Sequence, residues 1–98
     1  MENTQQKNQV HRASLFLKGS IFFDPNGKEV LKDRMGKTYL MDNQVKSHWR
    51  SVERILSKPG HSIFTLDELV ERIPKQHKNE QTTRILKKFL ELDLIGLA

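Results

Sequence analysis

The chain has 98 residues, of which 36% are hydrophobic and 30% charged, with a net charge of +5 and no cysteine. That length allows one domain around one small core. The missing cysteines exclude disulfides and thiolate metal sites and point to a reducing, cytoplasmic setting. No apolar run approaches the roughly 18–20 residues of a membrane span, and the opening "MENTQQKNQVHR" lacks the apolar stretch of a signal peptide. No membrane association is expected. The positive charge suits an anionic partner, either nucleic acid or an acidic polypeptide, and serves plain solubility equally well.

Residues 1–13 are polar and predict a flexible N-terminal tail, in which Lys7, His11 and Arg12 are the groups able to meet an anion. Residues 14–98 form the domain. Residues 14–42 read as three short strands. "SLFLKGSIFF" is rich in Phe, Ile and Leu, "DPNG" at 24–27 is a strong turn, "KEVLKD" alternates weakly, and "KTYLM" at 37–41 follows a second turn at Gly36. Period-two spacing places Tyr39 and Met41 on one face.

Residues 43–98 read as helical. Val45, His48/Trp49, Val52 and Ile55/Leu56 recur at helical spacing and "SKPG" ends that run. "FTLDELVERI" follows, with Thr65 and Glu68 spaced as a capping box and Leu66, Leu69, Val70 and Ile73 as its apolar stripe. Pro74 closes it. The spacing of Ile85/Leu86, Phe89/Leu90 and Leu92 predicts a third helix over 80–94, with Arg84, Lys87, Lys88 and Glu91 facing outward.

No catalytic constellation emerges. His11, His48, His61 and His77 stand 37, 13 and 16 residues apart, and the glycines sit singly in turns. Asp67 and Glu68 suit a helix N-terminus better than acid–base work. The sequence therefore predicts no enzyme, no catalytic residues, no metal and no cofactor.

Two readings of the helical half stay open. In one, the second and third helices are a helix-turn-helix in which Thr82, Thr83 and Arg84 read bases and Lys87 and Lys88 meet phosphates, making the chain a DNA-binding regulator. The linker between those helices is longer than the three to four residues usual for that motif, and no residues after the third helix are left for a hairpin wing.

The other reading starts from the strands-first order. "YLMDNQVKSHW" at 39–49, "FTLDELVERI" at 64–73 and "ILKKFLELDLI" at 85–95 fall in step with the apolar pattern of the PqqD-like family, the RiPP recognition elements. The resemblance covers residues 14–97 and departs from the family at Asp93, where Gly is usual, and at the long link "RILSKPGHSIF". It implies an α+β fold of winged helix-turn-helix type, with a three-stranded antiparallel N-terminal sheet followed by three helices. It also implies a function: capturing the leader of a ribosomally made precursor peptide and presenting it to a separate modifying enzyme. The leader would add as a strand to an open edge at 37–41. The residues so implicated are Lys37, Thr38, Tyr39, Leu40 and Met41 on the strand, and Arg84, Ile85, Lys87, Lys88 and Glu91 on the third helix, with Phe89 as a further apolar wall.

Overall fold

A computed structural model describes residues 14–97. The expectations of a tail at 1–13 and of anion contacts by Lys7, His11 and Arg12 lie outside the described residues. The chain is a small α+β domain with strands in two sheets and three helices.

Four strands come first: β1 (Leu15–Leu17), β2 (Ser20–Phe23), β3 (Glu29–Lys32) and β4 (Thr38–Leu40). The stretch read as one strand is thus two, divided at Lys18–Gly19. There the N–H groups of both residues donate to the Leu94 carbonyl, at 2.9 and 3.0 Å. Side-chain space enforces the division, because a Cβ on Gly19 would lie 2.6 Å from Leu94 Cδ2 and 3.0 Å from the Lys32 carbonyl oxygen.

β2, β3 and β4 form an antiparallel meander, pairing Ile21 with Leu31 and Leu31 with Tyr39. Its two turns, "DPNGK" and "DRMGK", share one chemistry. In each, the aspartate Oδ1 accepts from two backbone N–H groups, those of Asn26 and Lys28 in the first and of Met35 and Lys37 in the second, all at 2.9 Å. Gly27 and Gly36 then take φ of 80° and 90°, a left-handed position closing a three-residue hairpin loop.

The helices are α1 (Asn43–Leu56), α2 (Leu66–Arg72) and α3 (Thr82–Glu91). Asp42 caps α1 through Val45 N–H, and the Thr65–Glu68 capping box on α2 forms as its spacing predicts. The third helix is shorter than the spacing suggests. It stops at Glu91 because Asp93 turns left-handed (φ 62°), which sends Ile95–Leu97 back along β1 as β5. β5 pairs Leu15 with Leu97 and Leu17 with Ile95.

The core lies between the inner face of the meander, the β1–β5 pair and all three helices. Trp49 is fully enclosed and meets Phe89 edge-on, with ring centroids 5.2 Å apart. Leu94 and Ile95 are core residues as well, whereas Leu90, read as part of the buried stripe, is exposed. Glu29 ties the sheet to α1 through Lys46 (2.9 Å) and Arg50 (2.8 Å). The Lys46 ammonium, helped by Arg50 and opposed by partial loss of water, holds the Glu29 carboxyl below its ordinary range. Among the described residues no helix is long and apolar enough to cross a membrane.

Candidate functional site

β4 is an outer strand of the meander. Which of its backbone groups are free follows from the hairpin. Asp33 N–H donates to the Lys37 carbonyl at 2.9 Å, so that pair is hydrogen-bonded. Bonded and non-bonded pairs alternate along an antiparallel ladder. Leu31 and Tyr39 are therefore bonded, while Thr38 and Leu40 turn their N–H and C=O groups away from β3. Those four groups have no partner among the described residues. The Leu40 side chain is equally open, at 74% exposure.

Across from this edge runs α3. Between them lies a groove of about 750 Å³. Leu31, Tyr39, Val45, Ile85, Phe89, Leu92 and Leu94 supply apolar wall. Thr38 and Leu40 form the strand side, and Arg84, Lys87, Lys88 and Glu91 the helix side. The ion pairs among the described residues join Lys18 to Asp93 and Glu29 to Lys46 and Arg50. None engages Arg84, Lys87 or Lys88, so three cations border an apolar trough without a carboxylate partner among the described residues. Tyr39 is held at the strand by its hydroxyl, which donates to Asp33 Oδ2 at 3.0 Å. Desolvation and the neighbouring Asp33 carboxylate both raise the tyrosine's pKa, so the hydroxyl keeps its proton. Asp33 itself loses water, which alone would raise its pKa, but the N–H groups of Lys37 and Met35 and the Tyr39 hydroxyl outweigh this and lower it.

The ten residues singled out for peptide binding divide eight to two. Thr38, Tyr39, Leu40, Arg84, Ile85, Lys87, Lys88 and Glu91 line the groove. Lys37 does not. It is exposed in the turn, its Nζ 5.7 Å from the centre of the Tyr39 ring. Met41 is a correction: it is only 8% exposed and belongs to the core. The strand ends at Leu40 and the chain turns inward at Met41 to reach the Asp42 cap of α1.

A second correction concerns Thr82, read as a base-contacting side chain. It is buried. Its Oγ1 accepts from Asn79 N–H at 2.9 Å and lies 2.8 Å from Nε2 of the buried His48. Thr83 and Arg84 on the next two positions are exposed. Sequence reading also missed Leu31 and Leu94 as groove wall, and took Val45 and Leu92 for core. Helical spacing marks such residues as apolar-facing but does not say whether the space they face is filled. Among the described residues no three His, Asp or Glu side chains come together as a metal site.

Comparison of the chain with models of known families, with characterised proteins and with solved structures gave no match.

Proposed function

We propose that this chain is a non-enzymatic peptide-binding module of winged-helix type, similar to the PqqD-like elements. It captures an extended acidic leader segment of a ribosomally made precursor as an added strand on β4, and presents it to a separate modifying enzyme. The observation that carries this reading is the groove itself: outward N–H and C=O groups at Thr38 and Leu40 along one side, an apolar trough, and the unpaired cations of α3 along the other. Backbone pairing gives affinity without demanding a sequence, the trough selects apolar anchors, and the cations select acidic neighbours.

The test is an amide NMR titration of the labelled protein with an acidic peptide carrying apolar anchors. Shifts are expected at Thr38–Leu40 and along the groove face of α3. Leu40→Pro removes an outward N–H while sparing the Leu31–Tyr39 pair, so the variant is expected to fold and to lose about two- to tenfold in affinity, the worth of one backbone hydrogen bond. A folded Leu40→Pro protein that binds the peptide normally would place the site elsewhere.

The free cations of α3 also favour a second reading, in which that helix contacts nucleic acid. The buried Thr82 leaves Thr83, Arg84, Lys87 and Lys88 to carry it. Duplex DNA in the same titration, with affinity falling steeply as salt rises, would identify that function instead.

A further inference from the structure

The meander has a second face, turned away from the helices. Residues paired across a ladder share a face, and successive residues of a strand alternate. Ile21, Leu31 and Tyr39 form one cross-strand row and pack on the core. The rows on either side of it therefore turn outward. One is Phe22–Val30–Leu40, which is apolar, with Phe22 45% and Leu40 74% exposed. The other is Ser20–Lys32–Thr38, which is polar and cationic. The two rows run side by side about 7 Å apart, the length of two strand residues. Cations and rings interleave on this surface. Lys32 Nζ lies 4.5 Å over the Phe22 ring. The Arg34 guanidinium, from the turn after β3, lies 5.3 Å over the ring of Phe16, whose neighbours Leu15 and Leu17 face the core. The carboxylates of the meander are engaged elsewhere: Glu29 with α1, Asp33 with Tyr39 and its own turn, and Asp24 with the N–H groups of its turn. Lys32 and Arg34 thus have no carboxylate partner among the described residues.

From this we infer that the outer face of the meander binds single-stranded nucleic acid. Its bases lie on the apolar row and stack on Phe22, and its phosphates follow the cationic row at Lys32 and Arg34. A polymer that alternates an anion with a flat π-face is the ligand that uses both rows. An acidic peptide would engage only the cations. A bilayer would need rings standing clear of the cations, whereas here each ring has a cation over it. The cation–π pairs hold the site ready. A phosphate draws the flexible Lys32 ammonium off the Phe22 ring, and a base takes its place. The Arg34 guanidinium is planar, so while resting on Phe16 it offers its other side to a second base. The inference is independent of the peptide reading, because a leader would use the β4 edge and the groove, and this ligand the opposite face of the sheet. It is also distinct from DNA contact by α3.

The test is fluorescence anisotropy of a labelled oligothymidylate and a labelled oligouridylate, each of about 12 nucleotides, a length such sites commonly cover. Each is titrated with the full chain. Binding of either supports the proposal, and it is expected to be tighter than to a duplex of the same length, in which the base faces are covered. Two cations on phosphates predict a log–log salt slope of about −1.4 for a single strand. Phe22→Ala should weaken binding at least about fivefold, the loss of one stacked base. Lys32→Ala should bring the slope to about −0.7, and Lys87→Ala, on α3, should change neither. Amide shifts on the wild-type chain give a second readout that does not depend on a variant folding. They are expected at Ser20–Phe22 and Lys32–Arg34 and not along Thr82–Glu91. Absence of binding to both oligomers, tighter binding of the duplex, an unaltered affinity in folded Phe22→Ala, or shifts confined to α3 would each overturn the proposal. Binding to phosphatidylserine vesicles but to neither oligomer would overturn it too, and would make this face a membrane contact.

Discussion

His48 is fully buried, yet both of its ring nitrogens have partners. Nδ1 lies 2.8 Å from the Gln44 carbonyl, which can only accept, so Nδ1 carries the hydrogen. Nε2 is then free to accept from the Thr82 hydroxyl, which in turn accepts from Asn79 N–H. This chain of bonds fastens the start of α3 to α1 and so sets one side of the groove. Thr82→Val keeps the shape and removes the hydroxyl, leaving a buried ring nitrogen and a backbone N–H unpaired. It is expected to cost about 1–3 kcal/mol in urea unfolding. A loss below about 0.5 kcal/mol would mean that water replaces the hydroxyl.

At the scale of elements, the handover from β1 to β2 depends on Gly19. Its missing Cβ admits both Leu94 and the Lys32 carbonyl. Leu94 is enclosed and the carbonyl belongs to a paired strand, so neither can withdraw cheaply. Gly19→Ala is expected to destabilise by about 1–3 kcal/mol, as overpacking does, and the same unfolding measurement checks it. Gly96 is a milder case, since an added Cβ would meet Lys18 Cδ at 2.7 Å, on a side chain that can swing aside. Asp93 shows the converse. It holds the left-handed position that ends α3, a conformation Asp tolerates better than most residues, and its carboxylate pairs with Lys18. The PqqD-like resemblance expects Gly at this position.

For the whole molecule, the ion pairs of Glu29 are the electrostatic link between the meander and the helices. Its carboxyl has a lower pKa folded than unfolded. The stability it contributes is therefore present above the ordinary value of 4.5 and is lost as pH falls through the depressed folded value. Wild type is expected to exceed Glu29→Gln in melting temperature at pH 7, with the gap closing as pH drops below that ordinary value. A gap constant from pH 7 to 3 would assign the difference to packing and not to charge. The architecture also gathers charge along one groove: Arg84, Lys87 and Lys88 border the trough beside β4.

What the sequence determined by itself is what a few consecutive residues can encode. The Thr65–Glu68 capping box closes within four residues, "DPNG" closes its turn through its own aspartate, and the 3.6-residue spacing of Val45, Trp49 and Val52 sets the inward face of α1. Helices, turns, a three-stranded meander and most of the groove-lining residues were legible for that reason. Tertiary structure decided the rest. Ile95–Leu97 has no local strand signal and becomes β5 because Leu15–Leu17 lies open beside it, some eighty residues back in the chain. The same long-range packing split the first strand at Gly19, drew Met41 into the core and buried Thr82 against His48. Periodicity marks the side of an element that is apolar. Only the assembled molecule determines whether that side meets a neighbour, as at Met41, or an empty groove, as at Ile85.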